Sequence, residues 1–187
     1  MEDFMFKEHV EILNSFEKGL AEKTEKMKSS IRMLLNDSLK NENIYSLFFV
    51  CEDYYRDMNI KFYGIDNNKR VFLKRDTFTE INEPLFSKKL HEKAKEIENK
   101  YEYDEKGNEN MDFEDSESEY RDLKPKKLLN WFINCWESIK MEFKDLPQTY
   151  FVFGNYAESD MGSYTIDLST KRELENNERM KLLKSLR

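Results

Sequence analysis

Residues 44–51 read IYSLFFVC. Aromatic and β-branched side chains crowd this stretch, and such residues fit a pleated, buried surface. Ile44, Ser46, Phe48 and Val50 point to one side of a strand, and Tyr45, Leu47, Phe49 and Cys51 to the other. Both sides are apolar, so the stretch predicts a central strand covered on two faces. Just beyond it, residues 58–65 (MNIKFYGI) predict a second strand. Asp66, Asn67 and Asn68 predict a turn, because Asn tolerates the left-handed conformation, and residues 70–73 predict a short third strand. The links are too short for crossover helices, which makes the three an antiparallel meander.

Working outward toward the start, Phe6, Val10, Leu13, Phe16, Leu20, Met27, Ile31 and Leu34 recur at helical spacing among Lys and Glu. One helix over residues 3–35 would span about 50 Å; a break near Gly19 or Thr24 into two helices is the equal alternative. Working outward toward the end, residues 84–101 predict a helix with Leu85, Phe86, Leu90, Ala94 and Ile97 as its stripe. Residues 103–121 are acidic and almost free of aliphatics, the composition of a solvated loop. Pro125 suits the first turn of a following helix, whose apolar face runs from Leu128 to Ile139 through Trp131, Phe132, Cys135 and Trp136. YFVF (150–153) and SYTIDL (163–168) predict a second hairpin, and residues from 170 onward a last helix. The chain thus reads as one α+β domain over its 187 residues. It combines a mostly antiparallel sheet of about five strands, packed helices, an N-terminal helical region (1–43) and an acidic loop (104–122).

The charge is unevenly placed. The chain has 38 acidic and 31 basic side chains, a net charge of −7. Residues 104–122 hold nine carboxylates against Lys106 and Arg121, so that window alone carries the whole excess. Phosphate binding needs clustered Lys and Arg, so a nucleic-acid partner is not expected. The longest apolar run is five residues, too short to span a bilayer, and no leader is expected. Cys51 and Cys135 lie in apolar surroundings and read as reduced, buried thiols of a cytoplasmic chain, with a bridge between them as the lesser alternative.

No catalytic motif stands out. His9 and His91 sit among Glu and Lys, and read as surface side chains. Neither has a second ligand at metal-binding spacing, and no cofactor is expected. The carboxylates Glu52, Asp53, Glu158, Asp160 and Asp167 flank strands; a small metal-assisted enzyme would need them to converge. A helical adaptor pairing through its N-terminal stripe is a further alternative. The tyrosines Tyr54, Tyr55, Tyr63, Tyr101, Tyr103, Tyr120, Tyr156 and Tyr164 fall at strand ends and loops, and Tyr is favoured in protein interfaces.

LLNWFINCW (128–136), TYFVFGNY (149–156) and GSYTIDL (162–168) resemble small cytoplasmic bacterial proteins, some encoded beside polymorphic toxins. They are broadly similar to the SUKH group of immunity proteins, in which a helix-flanked sheet carries a Gly-aromatic strand. The resemblance implies a non-catalytic protein that binds and neutralises a toxin. Combined with the charge pattern, it points to a basic protein partner met by Glu109, Asp112, Glu114, Asp115, Glu117, Glu119, Tyr120 and Tyr156.

Overall fold

The computed structural model describes residues 5–40, 43–52, 58–68, 70–75, 84–104, 106–153 and 165–184. Two helices open the chain, α1 (Lys7–Glu22) and α2 (Thr24–Ser38), so the break falls at Lys23. Trp131 fixes it: its indole N–H donates to Thr24 Oγ1 at 2.9 Å, and that hydroxyl donates back to the carbonyl of Leu20.

The meander follows as β1 (Ile44–Glu52), β2 (Asn59–Asp66) and β3 (Val71–Arg75), all antiparallel. Asp66 closes the β2–β3 turn by accepting the N–H groups of Asn68 and Arg70, both at 2.8 Å. Next come α3 (Lys88–Tyr101) and α4 (Met111–Lys140). The chain ends with β4 (Gln148–Phe153), β5 (Thr165–Asp167), the two-residue β6 (Arg172–Glu173) and α5 (Asn176–Lys184). The strand order is β3-β2-β1-β4-β5-β6. Every pairing is antiparallel except β1 with β4, which run parallel. The fold is therefore α+β with a mostly antiparallel sheet, and β1 is central as its two apolar faces require.

One face of the sheet carries the main core. Leu47, Phe49 and Cys51 of β1 meet Phe62 of β2, Phe151 of β4 and the inner faces of α1, α2 and α4. Phe49 packs on Phe62, Phe132 and Trp136 with ring centroids 5.0, 4.9 and 5.9 Å away. On the other face Phe48, Val50, Tyr63, Ile65, Tyr150 and Val152 pack with Leu174, and Leu182 of α5 lies against them. The alternation of sides holds from Ser46 onward and fails before it. The register shifts between Ile44 and Ser46, and Ile44 joins the face of Leu47. A bulge inserts one residue and so inverts every side chain beyond it.

Four expectations need correction. Residues 111–122 are not a loop but the first three turns of α4, a helix of 30 residues. Pro125 is interior to that helix rather than at its start. His9 is a core residue with no exposed surface. The last helix begins at Asn176, after β6, and not near Thr170. Cys51 and Cys135 are both buried and neither is in a disulfide, so the bridge does not form. Burial pushes the Cys135 thiol up to about 11. Among the described residues no helix is long and apolar enough to cross a membrane.

Candidate functional site

The acidic window is built from a turn and a helix. Asp104 accepts the N–H groups of Lys106 and Asn108, both at 2.8 Å, and these bonds with Asn108 hold its carboxyl below the usual range. Gly107 sits at φ +79°, where a Cβ is strained. Tyr103 and Glu109 then pair across the turn. Asn110 caps α4 by accepting the N–H of Phe113 at 3.3 Å, and Asp112 and Glu114 lie in the first turn, where the helix dipole favours negative charge.

What fixes this acidic half-helix is its inner stripe. Phe113, Ser116, Tyr120 and Lys124 recur at steps of three and four, and all are buried. They meet α1 at His9. Phe6 N–H donates to Ser116 Oγ at 2.8 Å, and Ser116 Oγ lies 2.7 Å from His9 Nδ1. Ser116 Oγ thus bridges the Phe6 N–H and the His9 ring, one hydroxyl joining α4 to two residues at the start of α1. His9 Nε2 is 3.1 Å from Glu117 Oε2, with the carboxylate off the line of the N–H, so this contact is electrostatic more than a directed hydrogen bond. The imidazole stacks on Tyr120 at 4.9 Å and lies 5.6 Å from Phe113. Burial opposes ionisation of Glu117, but His9 and Arg121 outweigh it and hold the carboxyl below its usual range.

Ser116, His9 and Glu117 have the composition of a nucleophile, a base and an orienting acid. Their burial denies them that chemistry. Ser116 and His9 have no exposed surface, and a backbone N–H occupies the hydroxyl a substrate would have to meet. The group is a structural lock between α1 and α4. Tyr101, at the end of α3, joins the same junction: its ring meets Phe6 edge-on at 5.0 Å, and its hydroxyl donates to Glu8 Oε1 at 2.7 Å.

The outer side of α4 is different. Asp112, Asp115, Glu119 and Asp122 follow one another at steps of three, four and three, which lines them up on one face. Glu109 and Glu114 lie beside them and are exposed. Among the described residues none of these six carboxylates has an ion-pair partner. Elsewhere some charges are paired, as in Arg32 with Glu142 at 2.6 Å and Arg172 with Glu178 at 2.8 Å.

The sequence-predicted contact residues therefore divide. Glu109, Asp112, Glu114, Asp115 and Glu119 come together on the outer side of α4 and its approach. Glu117 and Tyr120 turn inward: Glu117 binds Arg121 at 2.7 Å and approaches His9, and Tyr120 is 3% exposed. Tyr156 lies outside the described residues, as do Tyr54, Tyr55 and Tyr164. Of the carboxylates considered for a metal, Asp53, Glu158, Asp160 and the Glu52 side chain also lie outside them. Asp167 is engaged locally, accepting Ser169 N–H at 2.8 Å. Among the described residues no group of three or more His, Cys, Asp or Glu side chains is placed to hold a metal ion.

Lys124 is the residue sequence reasoning missed. It is 4% exposed, and its ammonium lies 4.3 Å from the centre of the Phe86 ring. Burial lowers its pKa to about 8. Its spacing from Tyr120 and Leu128 put it on the inner stripe, a signal hidden by the assumption that the helix starts at Pro125. Comparison with protein-family models, with curated proteins and with solved structures finds no match to this chain.

Proposed function

We propose that this chain is a non-catalytic binding protein of the immunity type, which neutralises a basic bacterial toxin domain by covering it with the acidic side of α4. The observation that carries the reading is the unpaired stripe of Asp112, Asp115, Glu119 and Asp122 on a rigidly seated helix. Like charges at these spacings each cost a helix a few tenths of a kcal/mol. A basic partner removes that cost and gains directional attraction. The stripe extends over about 15 Å, ten residues of helix, which is the scale of a small interface patch. Because the His9 lock holds the helix in place beforehand, binding orders no backbone there, and preorganisation of this kind favours affinity.

The test uses the protein encoded beside this chain. Changing Asp112, Asp115 and Asp122 to Asn and Glu119 to Gln moves the net charge from −7 to −3 without touching the inner stripe. The variant is expected to fold as the parent does and to bind at least about tenfold more weakly, a loss of about 1.4 kcal/mol. Undiminished affinity would remove the stripe as the docking surface.

A further inference from the structure

Helices α3 and α4 both pack on α1, and an open groove of about 960 Å³ runs along α4 between the end of α3 and the strands β5 and β6. It follows α4 from Phe113 to Leu129, about 24 Å of helix. Hydrocarbon lines its length: Phe113 and Pro125 are buried, Leu129 is half-buried, and Ile166 of β5 adds a fourth apolar side chain.

Carboxylates stand beside this apolar lining on three elements. Glu98 and Glu102 come from the end of α3, Glu114 and Asp122 from α4, and Glu173 from β6. Among the described residues none of these five has an ion-pair partner. Of the two cations in the lining, Arg121 is held by Glu117 at 2.7 Å, and Lys126 stands against the five.

Two features separate this groove from an ordinary solvated acidic surface. Glu98 and Glu102 stand one turn apart at the C-terminal end of α3, where the helix dipole is itself negative, so each is disfavoured by its neighbour and by its own helix. The acids are also spread along the groove, with Glu114 and Asp122 about 12 Å apart along α4. Among the described residues no three of them are placed to hold a metal ion. A compact hydrated dication therefore finds no chelating set here and gains nothing from the apolar lining. Separated negative charges over hydrocarbon fit a ligand whose positive charges are themselves separated by hydrocarbon.

We propose that this groove binds a linear aliphatic polyamine. Its ammonium groups donate to the carboxylates of α3, α4 and β6, and its methylenes lie on Phe113, Pro125, Leu129 and Ile166. An ammonium carries three donors and no acceptor, so carboxylates are its natural partners. Methylenes withdrawn from water onto apolar side chains add to the attraction. The groove shares Asp122 with the acidic stripe, but Asp112, Asp115 and Glu119 do not line it, so this proposal and the docking reading can fail separately.

The experiment titrates the full chain at about 0.1 M salt, where loose charge attraction is screened. The probes are spermine, the diamine putrescine and magnesium chloride, followed by calorimetry and thermal shift. Wild type is run beside Glu98→Gln/Glu102→Gln and beside Glu22→Gln/Glu96→Gln, an equal loss of charge at exposed positions outside the groove. All four changes are isosteric, so the unliganded variants should melt as wild type does. Spermine is expected to bind wild type and the Glu22/Glu96 variant alike, with a dissociation constant below about 1 mM, and to raise their melting temperatures. Glu98→Gln/Glu102→Gln should weaken it about fivefold, as the loss of two surface ion pairs. Putrescine should bind more tightly than magnesium, which carries the same charge without the hydrocarbon. A spermine dissociation constant above about 1 mM overturns the proposal. So does undiminished binding to Glu98→Gln/Glu102→Gln, an equal loss in both variants, or magnesium binding as tightly as putrescine.

Discussion

His9 and Ser116 convert an acidic segment into a fixed helix. Ser116 accepts from Phe6 and shares a hydrogen bond with His9, and both side chains are sealed from water. Ser116→Ala leaves the Phe6 N–H and His9 Nδ1 buried without partners, and each such group costs about 1–3 kcal/mol. Denaturant unfolding should therefore show a loss of about 2–3 kcal/mol for a change of one oxygen. A loss under about 0.5 kcal/mol, the scatter of neutral surface changes, would deny the lock. Lys124 makes the opposite prediction. Its folded-state pKa is about 8 against 10.5 for a free lysine, so the folded chain carries a disfavoured charge at neutral pH. Between those two values the unfolded chain binds more proton than the folded one, and stability rises with pH across that window. Lys124→Met should flatten the rise of stability between pH 8 and 10.5, followed by denaturant unfolding across that range. His9 was within reach of sequence reasoning: it stands three residues after Phe6 and four before Leu13, on the apolar stripe itself. Its neighbours Glu8 and Glu11 drew the eye to the wrong face.

At the scale of elements, α4 shows how a composition signal fails. A segment with nine carboxylates has too little aliphatic surface to fold by itself, and a proline in a helix interior costs about 3 kcal/mol. Both costs are offset by tertiary burial of Phe113, Ser116, Tyr120 and Lys124, which no local count foresees. The local cues were there in Asn110 as cap and acids in the first turn. Hydrogen exchange should find the amides of 115–124 protected to a degree close to that of 128–139. Exchange of 115–124 at the rate of an unstructured peptide would restore the loop. The two-faced strand at 44–51 was readable because both sides of its pleat are apolar. The parallel pairing of β1 with β4 was not, since nothing local in either strand fixes which strand becomes its neighbour across some 95 residues of chain. Nor was the bulge at Ile44, which a strict alternation of sides passes over.

For the whole molecule, the distribution of charge matters more than its total. The body is neutral, and the net charge of −7 belongs to one turn and half of one helix. A field so localised steers a basic partner toward one side of the chain. Salt screens it over about 10 Å at 0.1 M. The most direct measurement is the dissociation constant for the protein encoded beside this chain, taken from about 0.05 to 0.5 M salt, a range over which surface fields fade. The wild type and the variant with amides at 112, 115, 119 and 122 are compared. Wild type should weaken steeply with salt while the variant starts weaker and stays nearly flat, the two curves converging at high salt. Parallel curves of equal slope would show that the partner does not feel the stripe, and would contradict the account.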